Sequence, residues 1–176
     1  MLTGRAAVND FEEALAAKLA RNAEIARERQ DNVEAMARYE EEQAEQAKHE
    51  RERLGKEQRA RHGELVEALT NAAQGLKAAS PEDFIVRLGW TQSGEEFIAK
   101  ISTRRMEPAR SLLIELDRDD DEVLARWHSD VGHSLELWRL LDVDPQLLHD
   151  LVLQVADQDL WRQQTRHPPP FPGARQ

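Results

Sequence analysis

The sequence contains no cysteine among its 176 residues, which excludes disulfide bonds, thiolate metal sites and cysteine nucleophiles. Long hydrophobic runs are also missing, since no stretch approaches the about eighteen apolar residues that suggest a membrane span. The amino end lacks the uninterrupted apolar segment of a signal peptide. From these absences we expect a cytoplasmic protein without a membrane partner.

Motifs that mark catalysis or cofactor binding are absent as well. The chain has no Gly-x-Ser-x-Gly nucleophile elbow, no Gly-x-x-x-x-Gly-Lys phosphate loop and no Gly-x-Gly-x-x-Gly dinucleotide fingerprint. We therefore predict a protein that is not an enzyme, with no catalytic residues, no bound metal and no cofactor.

Proline is missing from residues 9–79, where Ala, Glu, Arg, Gln and Lys dominate and apolar side chains return at helical spacing. We predict one long, coiled-coil-like helix here, called the arm, after a flexible start at residues 1–8. Its apolar positions, spaced nearer eleven residues per three turns than seven per two, are the predicted arm contacts: Phe11, Leu15, Leu19, Val33, Leu54, Leu65, Leu69 and Leu76.

The middle of the arm, between Tyr39 and Arg61, is rich in charge and poor in apolar residues. Three structures remain open for it: a weakly packed coiled coil, a single helix held by side-chain ion pairs, and a fold-back near Gly55 and Gly63. No proline or Asn-Gly turn supports the fold-back. We expect the two ends of the arm to carry its contacts.

Acidic residues are concentrated in the second part of the chain. The formal net charge is −10, of which residues 80–176 contribute −7, with 11 Lys and Arg against 18 Asp and Glu. Such a field disfavours broad contact with phosphate or anionic lipid and suits a basic partner.

After a linker at residues 80–82, residues 83–164 are predicted to form an α+β domain. Alternating apolar residues indicate three strands, at 83–90, 97–102 and 111–117, joined first by a tight turn at Gly94. We predict that they form a three-stranded antiparallel meander.

Two helices are predicted to pack on this meander. Apolar residues at spacings of three and four indicate one helix over residues 120–142 that passes through Gly132, and Asp144 caps a final helix that reaches Trp161. The predicted fold class is therefore α+β, a long helical arm followed by a three-stranded meander and two C-terminal helices. Residues 165–176 form a Pro-rich tail, predicted to be disordered.

The predicted binding residues of the body are four cations and two tryptophans. Lys100, Arg104, Arg105 and Arg110 form a basic patch along the second strand and the following connection. Trp90 and Trp161, each near the end of an element, are candidate partner anchors.

Two clusters contain possible metal ligands, and for each we predict a structural role instead of a metal site. Residues 117–122 resemble the start of a calcium loop, but Glu122 and His128 replace the glycine and glutamate that such a loop requires. We predict that this cluster begins a helix. His128 and His133 are five residues apart, which separates them on a helix.

These observations favour a non-enzymatic interaction protein or adaptor. The arm mediates homo-oligomerisation or captures a partner helix, and the acidic body binds a protein partner. One alternative is a nucleic-acid accessory protein, in which the patch from Arg104 to Arg110 and the Arg-rich segment of the arm contact phosphate. The related opposite alternative is an acidic inhibitor, in which the acidic body imitates nucleic acid and blocks the groove of a nucleic-acid-binding protein. A weaker alternative is a metal-dependent hydrolase with His128, Asp130 and His133 at the metal.

Overall fold

The computed structural model describes the backbone of residues 2–173 and the side chains of residues 7–173. Its elements follow in the order α1 (Leu2–Ala79), β1 (Phe84–Trp90), β2 (Glu96–Thr103), β3 (Arg110–Asp117), β4 (Glu122–Ser129), β5 (Gly132–Arg139), α2 (Pro145–Ala156) and α3 (Gln158–Arg162). No helix within these residues is long and apolar enough to cross a bilayer.

The predicted long helix is confirmed, and it is continuous through Gly55 and Gly63. It also includes residues 2–8, which the sequence assigned to a flexible start; Met1 lies outside the described residues. In the charged middle, exposed ion pairs such as Arg53 with Glu57, 2.8 Å apart, support the helix, each by about 0.2–0.5 kcal/mol. The fold-back near the two glycines is therefore wrong.

The chain divides into two compact units, residues 1–52 and residues 53–176. In the first, every described side chain is exposed. The second contains the last part of α1 together with all strands and the short helices. The division therefore falls inside α1, and residues 53–79 of the predicted arm belong to the same unit as the sheet.

The sheet has five strands in the order β1-β2-β3-β4-β5, all antiparallel, so the predicted three-stranded meander is wrong. The first three strands lie close to their predicted positions, and Gly94 has the positive φ expected of the turn, +73°. The error is in residues 120–142, which form the hairpin of β4 and β5 instead of a helix.

Apolar residues on both faces of this hairpin produced the false helical spacing. Val123, Ala125 and Trp127 of β4 are buried on one face of the hairpin, while Leu124 of β4 and Leu135 of β5 lie on the other face. When the apolar residues of both faces are taken together in sequence order, they recur every three or four residues, which is the spacing of a helix. Gly132, predicted inside the helix, has φ +126° and follows the turn between the strands.

The acidic cluster at residues 117–122 is also a turn, not a helix start. Asp117 Oδ1 accepts hydrogen bonds from the backbone N–H groups of Asp119 and Asp120, at 3.0 and 3.2 Å, and Asp121 has a left-handed φ of 55°. Side-chain bonds of this kind are typical of aspartate-initiated turns. The cluster therefore connects β3 to β4.

The core lies between one face of the sheet and the helices of the second unit. Leu65 and Leu69 from α1, Leu148 and Leu151 from α2, and Trp161 from α3 are fully buried with the inner residues of the strands. Asp144 caps α2 with Pro145 at its first position, as predicted.

Two polar contacts fix the last part of α1 to this core. The buried His62 donates from Nε2 to the Leu116 carbonyl oxygen at 2.9 Å, and Arg61 Nη1 donates to the carbonyl oxygens of Leu141 and Val143 at 3.0 and 2.7 Å. The registry of α1 on the sheet is therefore set by directional bonds as well as by apolar packing.

The Pro-rich tail packs on the core over part of its length. Phe171 is buried, with its ring centroid 6.4 Å from that of Trp127 and 5.9 Å from that of Trp138. Gln154 Nε2 donates to the Pro170 carbonyl oxygen at 3.1 Å. This packing differs from the disorder predicted for residues 165–176, of which 174–176 lie outside the described residues.

The opposite side of the sheet is called the open face. Its side chains are those that alternate with the core residues along each strand, and none of the described ones is buried. Within residues 7–173 the sheet is therefore covered on one side only, as antiparallel sheets often are.

Candidate interaction surfaces

The first candidate surface is an apolar stripe on residues 7–52 of α1. Large apolar side chains there are 38–64% exposed: Val8, Phe11, Leu15, Leu19, Ile25, Val33, Met36 and Tyr39. Phe11, Leu15 and Leu19 follow each other at four residues, and Val33 comes about four turns later on the same face. This stripe contains four of the eight predicted arm contacts.

The other four predicted arm contacts lie in the second unit and have different environments. Leu65 and Leu69 are fully buried, and Leu76 is half-buried against the core. Leu54 is 43% exposed. Two of the predicted contacts therefore fill the core of the chain itself, which leaves them inaccessible to another protein.

The predicted basic patch does not form as one surface, because Arg110 is buried. Its Nε and Nη2 donate to the Val155 carbonyl oxygen at 3.0 and 2.8 Å, and its Nη1 donates to the Pro108 carbonyl oxygen and to Gln158 Oε1. Burial lowers the pKa of Arg110 to about 10. Arg110 holds β3 to α2 and α3, so it is a structural residue.

The two predicted tryptophan anchors also differ. Trp161 is fully buried and its Nε1 donates to the Gln154 carbonyl oxygen at 2.8 Å. Trp90 is 53% exposed, with ring centroids 5.6 Å from His62 and 5.1 Å from Phe97. Of the two, only Trp90 presents surface to a partner.

Of the three remaining cations, Arg104 and Arg105 are exposed in the connection between β2 and β3. Lys100 is exposed on the open face, where strand register gives it other neighbours. Arg87 is its partner on β1, Leu113 on β3, and Arg126 pairs with Leu113 from β4.

These pairings place Arg87, Lys100 and Arg126 at one level across the sheet, and we call this set the basic row. Adjacent strands are about 4.8 Å apart, so the backbone positions of Lys100 and Arg126 are separated by roughly 10 Å. Among the residues with described side chains, none of the three cations has a carboxylate partner within ion-pair distance. The second candidate surface is therefore a strip of positive charge whose described cations are not ion-paired.

Two shallow depressions follow the basic row and share Lys100. The larger, about 260 Å³, is lined by Lys100, Ser111, Leu113, Arg126 and His128. The smaller, about 120 Å³, is lined by Ile85, Arg87, Lys100 and Ser102. Their polar lining consists of cationic groups, hydroxyls and an imidazole, with no carboxylate, which is a donor set suited to anions.

His128 and His133 come together on the open face, although the sequence predicted them to be apart. They are direct partners across β4 and β5, and their ring centroids are 4.2 Å apart. Asp130 lies in the intervening turn, where its Oδ2 accepts from the Ala109 N–H at 3.0 Å. Within residues 7–173, no three His, Asp or Glu side chains are grouped so that they could hold a metal ion.

The far end of the open face is acidic. The pKa of Glu96 is raised, first by partial burial and then by the negative charge of Glu115. The pKa of Glu95 is raised by a hydrogen bond shared with Asp119, while Arg118 and that same bond lower the pKa of Asp119. The acidic end and the basic row are therefore two oppositely charged parts of the open face.

Between the basic row and this acidic end lies a largely apolar level. Ile98, Leu124 and Leu137 occupy it with Glu115, and Leu137 is 49% exposed. Leu113 and Leu135 extend the apolar surface into the level of the basic row. The open face thus offers cationic, apolar and acidic levels in succession.

Sequence reasoning missed Arg87 and Arg126. Each belongs to a different strand, and Arg126 falls in the segment predicted as a helix. Only the register of the sheet brings them level with Lys100. Alternation of Val123, Ala125 and Trp127 was the signal that could have identified β4.

No protein-family model, no curated protein sequence and no solved structure matches this chain significantly.

Proposed function

We propose that this chain is a non-enzymatic interaction protein. Its apolar stripe pairs with the same stripe of a second copy, and the second unit, residues 53–176, binds a protein partner. The observation that carries the first part is the exposure of Phe11, Leu15, Leu19 and Val33, which is 45–64%. No other described residue covers these side chains.

The energy of such pairing follows from the area that it would bury. Full burial of a Leu, Val or Phe side chain contributes about 1.5–3 kcal/mol, and a dimer gains this on both chains. Association costs on the order of 4–15 kcal/mol in lost freedom, and the side chains of the stripe are only 38–64% exposed, so the area that remains to be buried supports weak association. The charged turns after Tyr39 add little to the seam.

Sedimentation velocity of the full chain over a wide concentration range tests this proposal. We expect a reversible equilibrium between monomer and dimer. Leu19→Glu should weaken it about tenfold or more, because it places a charge within the seam. Ala17→Glu is the matched control, since it adds the same charge on the opposite side of the same turn and should change the constant less than about twofold.

Two results would overturn the pairing. One is a monomer at every concentration with full helicity in circular dichroism. The other is an equal response to Leu19→Glu and Ala17→Glu, which would assign the association to net charge and not to the stripe.

A further inference from the structure

We propose that the basic row on the open face is a docking site for an acidic, amphipathic peptide segment of a partner protein, with carboxylates meeting Arg87, Lys100 and Arg126. This inference deepens the second part of the proposed function. It does not depend on pairing of the apolar stripe, so the two can fail separately.

The first support is the absence of internal compensation. The chain is acidic, with 34 Asp and Glu against 24 Lys and Arg, yet among the described side chains none of the three cations is ion-paired, and the first carboxylate on the face, Glu115, lies one level away. In such a chain, three exposed cations at one level of a sheet without carboxylates form a local positive field. That field attracts an anionic segment and orients it along the row.

The second support is the shape and chemistry of the two depressions. Arg126 and Arg87 each offer a guanidinium, which can donate two parallel hydrogen bonds to a carboxylate, and Lys100 stands between them. Ser111 and Ser102 add hydroxyl donors at the neighbouring level. The two depressions therefore accept two acidic side chains at separate points.

The third support is the succession of levels, which selects a peptide over a nucleic acid. Next to the basic row, Ile98, Leu124 and Leu137 lie on either side of Glu115 and provide apolar area for the apolar side of an amphipathic segment. Beyond them, Glu96, Asp117 and Glu122 would repel a continuous phosphate backbone. The basic row itself contains no Phe, Tyr or Trp ring on which a base could stack.

Fluorescence anisotropy with the full chain tests the site. The probe is a short fluorescein-labelled peptide of glutamate, leucine and alanine arranged as an amphipathic helix, and its reference is the same peptide with lysine for glutamate. Protein is kept below the concentration at which sedimentation detects dimers. We expect saturable binding of the glutamate peptide only, weakened by added salt.

The variant is Lys100→Gln with Arg126→Gln, and Arg139→Gln is the matched control on the same face. All three side chains are exposed, so the fold should be kept, which circular dichroism checks. The double variant should lose about tenfold or more in affinity, and the control less than about twofold. Charge reversal, Lys100→Glu with Arg126→Glu, should transfer binding to the lysine peptide.

Nuclear magnetic resonance of the unsubstituted chain provides a second readout that needs no variant. Amide shifts on titration with the glutamate peptide should map to β2, β3 and β4 around Lys100 and Arg126. Shifts confined to α1 would overturn the proposal, as would absence of saturable binding. A single-stranded oligonucleotide that displaces the peptide and binds more tightly through Lys100 and Arg126 would also overturn it and assign the site to nucleic acid.

Discussion

The guanidinium of Arg110 lies 5.3 Å from the ring centroid of Trp161, and both side chains are buried. The sequence placed one in an exposed basic patch and the other at a partner surface. Their contact instead joins β3 to α3, where cation–π attraction adds to four hydrogen bonds from the guanidinium. Arg110 and Trp161, both predicted as binding residues, thus belong to the internal packing of the second unit.

Replacement of Arg110 should therefore act on stability. Arg110→Ala leaves the Val155 carbonyl and the Gln158 amide without their donor in a buried place, and we expect a loss of about 2–4 kcal/mol in the free energy of unfolding. Urea denaturation followed by circular dichroism measures it. Arg104→Ala, an exposed arginine of the neighbouring connection, is the control and should stay within about 0.5 kcal/mol of the parent. Equal values for the two variants would contradict the structural role.

The sequence predicted α1 and the first three strands because each has one dominant period. A proline-free, Ala- and Glu-rich segment favours helix at nearly every position, and β2 alternates cleanly between Phe97, Ala99, Ile101 and their outward neighbours. Local signals of this kind do not require knowledge of what lies across the sheet.

The hairpin of β4 and β5 could not be predicted from a single dominant period. As an edge strand, β5 carries Ser134 and Glu136 on its inner side, so apolar alternation fails there. The candidate site was missed for a related reason: Arg87, Lys100 and Arg126 are distant in sequence, and their common level depends on register. Burial of Arg110 depends likewise on where α2 and α3 dock.

Substitution of two glycines distinguishes the hairpin of β4 and β5 from the helix that the sequence predicted over residues 120–142. Gly132 has φ +126°, which a side chain rarely adopts, so Gly132→Ala should cost about 1–3 kcal/mol through backbone strain. Gly63 lies inside α1, and apart from the neighbouring residues and backbone of its own helix nothing lies within 4 Å of an added Cβ, so Gly63→Ala should stabilise by up to about 1 kcal/mol. Thermal and urea unfolding measure both. A gain from Gly132→Ala would favour the predicted helix over the hairpin.

Glu96 provides a prediction that depends on pH. Burial and Glu115 raise its pKa above 4.5 in the folded chain, which therefore binds this proton more tightly than the unfolded chain. Its contribution to stability then falls as pH rises from 4.5 through the folded pKa, and at neutral pH the ionised group destabilises the fold. Glu96→Gln should raise the free energy of unfolding at pH 7 by about 0.5 kcal/mol, after allowance for solvent screening.

This gain should shrink as pH is lowered, because Glu96 of the parent becomes neutral. Urea denaturation at pH 7 and below pH 4.5 measures the difference. The control is Glu82→Gln, which removes the same charge from an exposed position in the turn before β1. A gain from Glu96→Gln that is independent of pH would show that side-chain packing, and not charge, causes it.

Phe171 tests whether the Pro-rich tail belongs to the fold. Its buried ring packs against Trp127 and Trp138, so Phe171→Ala removes an aromatic side chain from the core and should cost about 3 kcal/mol. Pro170→Ala is the control, because that side chain is exposed and its carbonyl can still accept from Gln154. Urea denaturation and tryptophan emission measure the effect, and the emission of Phe171→Ala should shift to longer wavelength as Trp138 gains contact with water. Identical stability and emission for both variants would mean that the tail is detached in solution, as composition alone predicts.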